Sequence, residues 1–592
     1  MSEPLTELRQ LMSENGINAY FSPHNDFHSV RTIQSEYLGK HDLRAEFISG
    51  FKGSNSQILI TQDKALLWTD GRYWIAALKE LFPGWEMKKM GPDPPVSEWI
   101  SINLEKGNKI GYDPALISAA SAKTRTKTFS DKGYEFVPVE DNLINKVWKS
   151  RPLMSQEKVF VHDVVFAGEN VKEKLDKVLG KFEGRFLFTS VLDDIAWLLN
   201  LRGKDIDYNP LFFSYMLIDR RDDGVKIILF VNDDKVEGIR EYLTENNIEI
   251  HRYEDIDNYL LSIEEKIVID ENELNYRLYQ KIKHPVHKSN IIARIKAIKT
   301  PREIQGFRDS HIRDGIAMAK YFSWLEEQLN SGIQLTEWTA ALELDRLRSL
   351  ESLNMGLSFE NISSSGPNAA IIHYAPTADT ARNLSLNEIY LLDSGGQYLD
   401  GTIDTTRTMH FGTPTDREKE CFTRVFLGNL DLERVKWPAQ AHLTGNDLDV
   451  LARRRLWEVG LDYNHATGHG VGYYLNVHEG PHYLCKGADE EFKIGMNITN
   501  EPGYYEEGSF GIRIENVLLI TESLTMKGWV EFENVTMVPY DKKLFDRNLL
   551  DRFDIEYINK YHKKVWDTLS PILQERGESK TLKWLEAATS PF

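Results

Sequence analysis

Apolar residues recur every three or four positions in "LTELRQLMSENG" (5–16) and then crowd into "NAYFSP" (18–23). That pattern predicts a helix ended by glycine and followed by a strand. "SQILITQDKALLWTDG" (56–71) alternates around a polar centre, as a hairpin does, and "RYWIAALKELFPG" (72–84) resumes the helical period until Pro and Gly stop it. A similar order returns from 170 to 245: helical "VKEKLDKVLGKF", strand "RFLFTS", helix "DDIAWLLNLRG" begun by Asp, hairpin "SYMLIDRRDDGVKIILFV", helical "KVEGIREYL". The reading is one α/β module used twice. From about 301 long helices precede strands: "REIQGFRDSHIRDGIAMAKYFSWLEEQL" and "TEWTAALELDRLRSL", then "AIIHYA" and "EIYLLDSG … TIDTTRTMHFG". The order recurs in "DREKECFTRVFLGNL" and "GNDLDVLARRRLWEVG", then "MNITNEPGYY" and "FGIRIENVLLIT". Two such halves predict a pseudo-symmetric α+β domain whose site draws residues from both.

Basic, proline-marked stretches at 149–156 and 281–303 mark the boundaries. They divide the chain into 1–150, 151–295 and 296–592, an α/β and α+β multidomain protein. Its 592 residues, 41% hydrophobic and 27% charged, fit an ordinary globular composition. The net charge of −19 argues against nucleic-acid or anionic-membrane binding, which requires clustered Lys and Arg. With only two cysteines, Cys421 and Cys485, no reliance on disulfides is expected. The first residues lack a signal-peptide core, the last lack a lipid-anchor tail, and no run of eighteen apolar residues occurs. A cytoplasmic protein is the expectation.

The chemistry begins with acids in apolar strands. Asp393 ends one strand and Asp404 lies in the next, folded back by Asp-Gly at 400–401. Asp is depleted in strands, and like charges this close repel unless a cation or proton lies between them. Arg513 and Glu515 share a face of "FGIRIENVLLIT", and Glu501 precedes a proline in "TNEPGYY". In "HATGHGVGYYLNVHEGP" (465–481) His465, His469 and His478 lie among glycines that let backbones pack closely. Each residue has a structural alternative: solvated edge residues or turn caps for Asp393 and Asp404, a buried ion pair for Arg513 and Glu515. Glu501 reads equally as a turn residue and His469 as a core or surface residue. Together, Asp393, Asp404, His469, Glu501 and Glu515 make four carboxylates and one imidazole on strands or strand ends. That donor set suits Mn²⁺, or Co²⁺, Zn²⁺ or Fe²⁺, better than a thiolate zinc site, and it suits two ions better than one.

These segments resemble a known family. "DSGGQYLDGTIDTTRT", "HATGHGVG", "NVHEGP", "NEPGYY" and "GIRIENV" are similar to the five signature segments of the pita-bread metallopeptidases. "IIHYAP" and "HATGHGVGYYLNVHEGP" resemble the Xaa-Pro aminopeptidases, and "ISGFKGS", "LLWTDGRYW" and "DDIAWLLNLRG" their long, cytosolic three-part form. The resemblance implies two creatinase-N-like modules before a pita-bread catalytic domain with a C-terminal extension. It implies two divalent ions per subunit, Mn²⁺ foremost: Asp393 on the second, His469 and Glu501 on the first, Asp404 and Glu515 bridging. A bridging hydroxide would attack the peptide carbonyl, with Glu501 handling its proton. His373 and His478 would hydrogen-bond the substrate and the developing charge, His465 would line the pocket, and Arg513 would orient the carboxylates. Arg72 would contact peptide across domains or subunits, or else form a surface ion pair at a helix start. Ala466 stands where the family usually has Gly, a change expected to matter little. The implied substrates are peptides with proline second, and the implied assembly is a homodimer. A dipeptide-only prolidase and a non-catalytic peptide-binding relative are the competing readings.

Overall fold

The computed structural model describes residues 3–28 and 36–592. They form two compact units, one of Met1–Val164 with Glu169–Lys296, the other of Val165–Gly168 with Ala297–Phe592. The first unit is one sheet design built twice. In the first copy the strands run in the order Glu86–Lys89, Ala65–Thr69, Gln57–Thr61, Ala19–Pro23, Lys109–Tyr112, Glu135–Pro138. Neighbours pair parallel, antiparallel, antiparallel, parallel and parallel. The second copy, Ile248–His251, Gly224–Phe230, Tyr215–Arg221, Phe186–Thr189, Ile267–Ile269, Pro285–His287, repeats that succession. The centre of "QILIT", Ile58 to Ile60, is continuously apolar because both faces of the sheet are covered: Ile58, Ile60 and Leu67 enter one core, Leu59, Leu66 and Trp68 the other.

Two local expectations in this unit need correction. The helix of "DDIAWLLNLRG" spans Leu192–Leu198 and begins at Val191 without a side-chain cap, so Asp193 and Asp194 lie inside its first turn. Their carboxyl groups are engaged instead by Lys296 and Asn290. "KVEGIREYL" divides into a 3-10 segment, Asp233–Ile239, and a short α-helix, Arg240–Glu245.

In the second unit the paired helices are Pro301–Asn330 with Glu337–Ser349, and Asp416–Glu433 with Gly445–Trp457. Thr300 and Glu303 form a reciprocal cap at the start of the first, so its N-terminal N–H groups have partners. Each pair is followed by a sheet. Ile389–Ser394 lies between Ile362–Ser365 and Thr405–His410, both antiparallel to it. Asn516–Glu522 lies between Asn497–Asn500 and Trp529–Asn534, again antiparallel. The helix Arg552–Glu575, next to last in the chain, buries Ile558, Tyr561, Val565, Leu569 and Leu573 in the same core as Phe426, Ile512 and Ile514, so it completes this unit's core.

Here "AIIHYA" departs from its expected strand: Gly366–Ala370 is a 3-10 turn and the residues after it have no regular structure. Its apolar side chains are buried, but no sheet edge pairs with its backbone. Asp404 and Glu515 each sit just before a strand, Thr405–His410 and Asn516–Glu522, rather than within one. Among the described residues no helix is long and apolar enough to cross a membrane.

Candidate metal centre

Five strand ends bring the candidate ligands together. Asp393 occupies the penultimate position of Ile389–Ser394, opposite Thr406 of the neighbouring strand. Glu515 is tied to that strand by its own N–H, which donates to the Thr406 carbonyl at 3.1 Å. His469 is the middle residue of Gly468–Gly470, and the Glu501 N–H donates to the Thr467 carbonyl at 2.8 Å, seating the two segments side by side. The glycines have a specific reason here. A Cβ on Gly468 would lie 1.9 Å from the Thr499 carbonyl oxygen, and one on Gly470 would lie 2.5 Å from that of Glu479. The four-residue spacing of His465 and His469 is therefore not helical.

Three overlapping groups of ligand atoms lie within 4.8 Å of one another: Asp393, Asp404 and Glu515; His469, Glu501 and Glu515; Asp404, His469 and His478. Asp404, His469 and Glu515 each belong to two of the groups, so the three groups form one continuous cluster. His469 Nε2 lies 3.3 Å from Asp404 Oδ2 and 3.4 Å from Glu501 Oε1. Its Nδ1 is 2.8 Å from the Gly470 carbonyl, so Nδ1 carries a proton and Nε2 is the nitrogen that faces the carboxyl groups. His478 stacks edge-on against His469 at 4.0 Å between ring centres, and its inclusion in the third group makes its nitrogen a further donor within reach.

The donor set fits cations, because among the described residues little positive charge faces it. Asp393, Asp404 and Glu515 are buried, and Asp393 Oδ1 has no hydrogen-bond partner. Burial, then the charges of Asp393 and Glu501, push the Asp404 carboxyl pKa far up; burial, then Asp404, Glu501 and Asp393, do the same to Glu515. Among the described residues the one guanidinium paired with a carboxyl group of the set is that of Arg513, 2.8 Å from Asp393 Oδ2. Burial works against that charge, but Tyr505, Asp393 and Glu501 outweigh it and raise the Arg513 pKa. Hard oxygen donors around one imidazole, with too little positive charge of their own, are the surroundings that divalent ions occupy.

Around this centre the remaining candidates separate. Arg513 donates to Tyr505 Oη at 2.7 Å, and Tyr505 is 2.9 Å from His465 Nε2. His465 Nδ1 donates to the Ala466 carbonyl at 2.7 Å, so Nε2 accepts from Tyr505. Enclosure by protein, then the Arg513 charge, keep His465 neutral well below the usual imidazole range. Arg513 also reaches the Ile372 carbonyl at 3.4 Å, placing the neighbouring His373 beside this network. Arg72 belongs to the other unit, where both ends of its guanidinium grip Asp70 at 2.9 Å and it stacks on Tyr73.

Sequence reasoning passed over two threonines. Thr406 donates to Glu515 Oε2 at 2.7 Å, and Thr499 donates to Glu501 Oε1 at 3.1 Å while accepting the His469 N–H at 2.9 Å. Each stands two residues from a candidate ligand, Asp404 or Glu501, which is the strand period for a shared face.

The chain matches metallopeptidase family M24 over residues 305–522 and that family's C-terminal region over 528–592. It matches the creatinase/prolidase N-terminal domain twice, over 4–147 and 150–303. It is 41% identical to Xaa-Pro aminopeptidase ApepP of Drosophila melanogaster, with 99% of each chain covered. With Xaa-Pro aminopeptidase 1 of Dictyostelium discoideum it shares 38% identity over 100% of this chain and 97% of the relative. Among solved structures it superposes with a TM-score of 0.94, at 35% identity over 100% and 99% of the two chains, on the X-prolyl aminopeptidase of Caenorhabditis elegans, described as a cytosolic enzyme with a di-nuclear active site. A Xaa-Pro dipeptidase of Bacillus anthracis shares the fold alone, with a TM-score of 0.51 at 24% identity over 63% of this chain and 99% of that one. With relatives matched across nearly its whole length and a fold that superposes end to end, this chain belongs to metallopeptidase family M24, in its Xaa-Pro aminopeptidase P branch.

Proposed function

We propose that the chain is a cytosolic Xaa-Pro aminopeptidase that removes the N-terminal residue from peptides whose second residue is proline. The observation that carries this reading is the convergence of four carboxyl groups and two imidazoles, His469 and His478, into groups linked by Asp404, His469 and Glu515. Asp393 would hold one ion, His469 and Glu501 the other, with Asp404 and Glu515 between. Divalent ions at this place, Mn²⁺ foremost, supply Lewis acidity and make water nucleophilic at neutral pH.

The chain's own groups divide the remaining work. Glu501 is the less buried carboxyl of the set, and its Oε2 is not engaged by Thr499, so this oxygen takes a proton from the attacking water and returns it to the leaving nitrogen. His478 and His373 hydrogen-bond the scissile carbonyl as charge develops on its oxygen. Neutral His465, held by Tyr505, lines the pocket, and Arg513 keeps Asp393 oriented. Arg72, paired with Asp70 through Nε and Nη2, would contact peptide. The three-part division at 150 and 295 assigns this chemistry to 296–592.

We read the assembly as a homodimer. Val450 and Trp457 on the helix Gly445–Trp457, with Val459 just past its end, are 43%, 49% and 40% exposed, apolar residues that suit a second copy. Light scattering should return twice the 68.3 kDa chain mass.

The test is turnover of a Xaa-Pro-Xaa tripeptide against a Xaa-Pro dipeptide, before chelation, after it, and after Mn²⁺ is restored. Metal-dependent cleavage of the tripeptide is expected. Cleavage of the dipeptide alone would make the chain a prolidase, and no cleavage under any metal would make it a binding protein.

A further inference from the structure

His373 sits in a segment with no strand to hold it, so its placement depends on side chains. Among the described residues the backbone bonds near it are local, Ile371 N–H to the Asn368 carbonyl and Tyr374 N–H to the Ile371 carbonyl, both 3.0 Å. The organising group is distant in sequence. Glu337 opens the helix Glu337–Ser349 and is fully buried. Its Oε1 accepts from the Ser365 N–H at 2.7 Å, Ser365 Oγ at 3.1 Å and Asn368 Nδ2 at 3.3 Å. Its Oε2 accepts from Asn368 Nδ2 at 3.0 Å, Tyr374 Oη at 2.9 Å and the Arg382 N–H at 2.8 Å. The backbone joins in, with Glu337 N–H donating to the Arg382 carbonyl at 2.9 Å and the Glu337 carbonyl accepting from Ser363 Oγ at 2.8 Å. One carboxyl group thus gathers both ends and the middle of residues 365–382.

Two further observations point the same way. Burial, then the Glu337 charge, raise the Tyr374 pKa, so the phenol stays a donor to that carboxyl group. On the opposite side the segment lies against Gly511, where a Cβ would come within 1.8 Å of the Ala369 carbonyl oxygen. Clamped between Glu337 and Gly511, the segment delivers the Ile372 carbonyl to Arg513, the residue that grips Asp393.

We propose that Glu337 is a positioning residue: it fixes the segment 365–382 and through it the place of His373 beside the metal centre, without touching substrate itself. The proposal rests on the role given to His373 above. A carboxyl group is suited to this because every partner is a donor; an amide of the same size would turn an N–H₂ toward some of them and leave donors unpaired.

The experiment is a kinetic cycle of Glu337→Gln, His373→Ala and the double variant on the metal-loaded full chain, cleaving a Xaa-Pro-Xaa tripeptide. Metal content and amide hydrogen exchange are measured alongside. Glu337→Gln should keep its metal and lose about tenfold or more in kcat with KM changed less than about twofold, because a displaced group costs mainly the chemical step. In the double variant that loss should vanish into the His373→Ala loss, and exchange at 366–374 should quicken. Wild-type turnover of Glu337→Gln, or losses that multiply in the double variant, would overturn the proposal. A wild-type rate for His373→Ala refutes the role of His373 and the positioning role with it, whereas a slow His373→Ala beside an unimpaired Glu337→Gln refutes positioning alone. If the wild type cleaves no Xaa-Pro peptide, the functional reading fails, and unchanged exchange in Glu337→Gln then overturns the anchor as well. Should Glu337→Gln not fold, Tyr374→Phe removes one donor to the same carboxyl group and carries the same cycle, with a loss of about threefold expected.

Discussion

Each of the two units buries a cluster of carboxyl groups, and the clusters are compensated differently. In the first unit Asp194 is buried beside Asp193 and Glu273, and burial, then the Asp193 charge, raise its pKa. That cluster has its own cation. Buried Lys296 pairs with Asp193 and lies 3.7 Å from Asp194, and Asn290 donates to Asp194 at 2.6 Å. In the second unit Asp393, Asp404, Glu501 and Glu515 converge, and among the described residues no lysine and only the Arg513 guanidinium pairs with a carboxyl group of the set. A third carboxyl group, Glu433, is buried without either device: burial raises its pKa to about 7, and Asn534, Lys564, Arg407 and Arg434 pull it back only in part. Lysine, proton and divalent ion are three ways to hold a buried carboxyl group, and only the last leaves an electrophile in place for chemistry.

The comparison breaks most visibly at the cluster without a lysine. Asp404→Asn or Glu515→Gln should lower peptide turnover by about three orders of magnitude or more, since an ion loses a shared ligand. The metal-free variant should melt at the wild-type temperature or above, because one of several crowded charges is gone. Near wild-type turnover would remove the bridging role. Lys296→Met should do the reverse. It strands Asp193 and Asp194, costs about 3–5 kcal/mol by denaturant unfolding, and leaves kcat per folded molecule within about threefold. An unchanged unfolding midpoint would show that Lys296 is not what balances that cluster.

Glu433 sharpens the contrast through pH. Its folded pKa of about 7 stands above the ordinary value of 4.5. Between these values the folded chain holds a proton that the unfolded chain has released. Stability is therefore fully present below about pH 4.5 and falls, by about 3 kcal/mol at most, as pH rises through 7. Glu433→Gln should flatten that part of the melting-temperature profile, and a profile of unchanged slope would count against it. The smallest expected effect is at the pocket wall. Tyr505→Phe removes the link from Arg513 to His465 and should cost about tenfold in kcat/KM. A rate within twofold of wild type would show that His465 holds its place unaided.

Much of this contrast was legible in the sequence. Asp393, Glu515 and Arg513 stand out because charged residues interrupt apolar runs of the sequence, and the glycines around His469 announce close backbone approach. The repeated module was readable from its recurring helix–hairpin–helix order, since apolar periodicity reports which faces are covered. Other features were hidden for physical reasons. An acidic residue opening a helix after threonine reads as a helix-end charge, so Glu337 looks ordinary until its partners, up to 45 positions away, are in place. "AIIHYA" reads as a strand because apolar spacing does not reveal whether a neighbouring sheet edge exists. The pairing of Lys296 with Asp193 joins residues 103 positions apart, and no local pattern encodes it.

The central claim is that the second unit's carboxyl cluster is completed by two divalent ions. Equilibrium titration of the chelated full chain with Mn²⁺, with Xaa-Pro-Xaa turnover followed on the same samples, tests it most directly. The account predicts two ions per chain, turnover that appears as they bind, and fewer than two ions for Glu515→Gln. Full turnover in the ion-free chain, or saturation at two ions unaltered by Glu515→Gln, would contradict it.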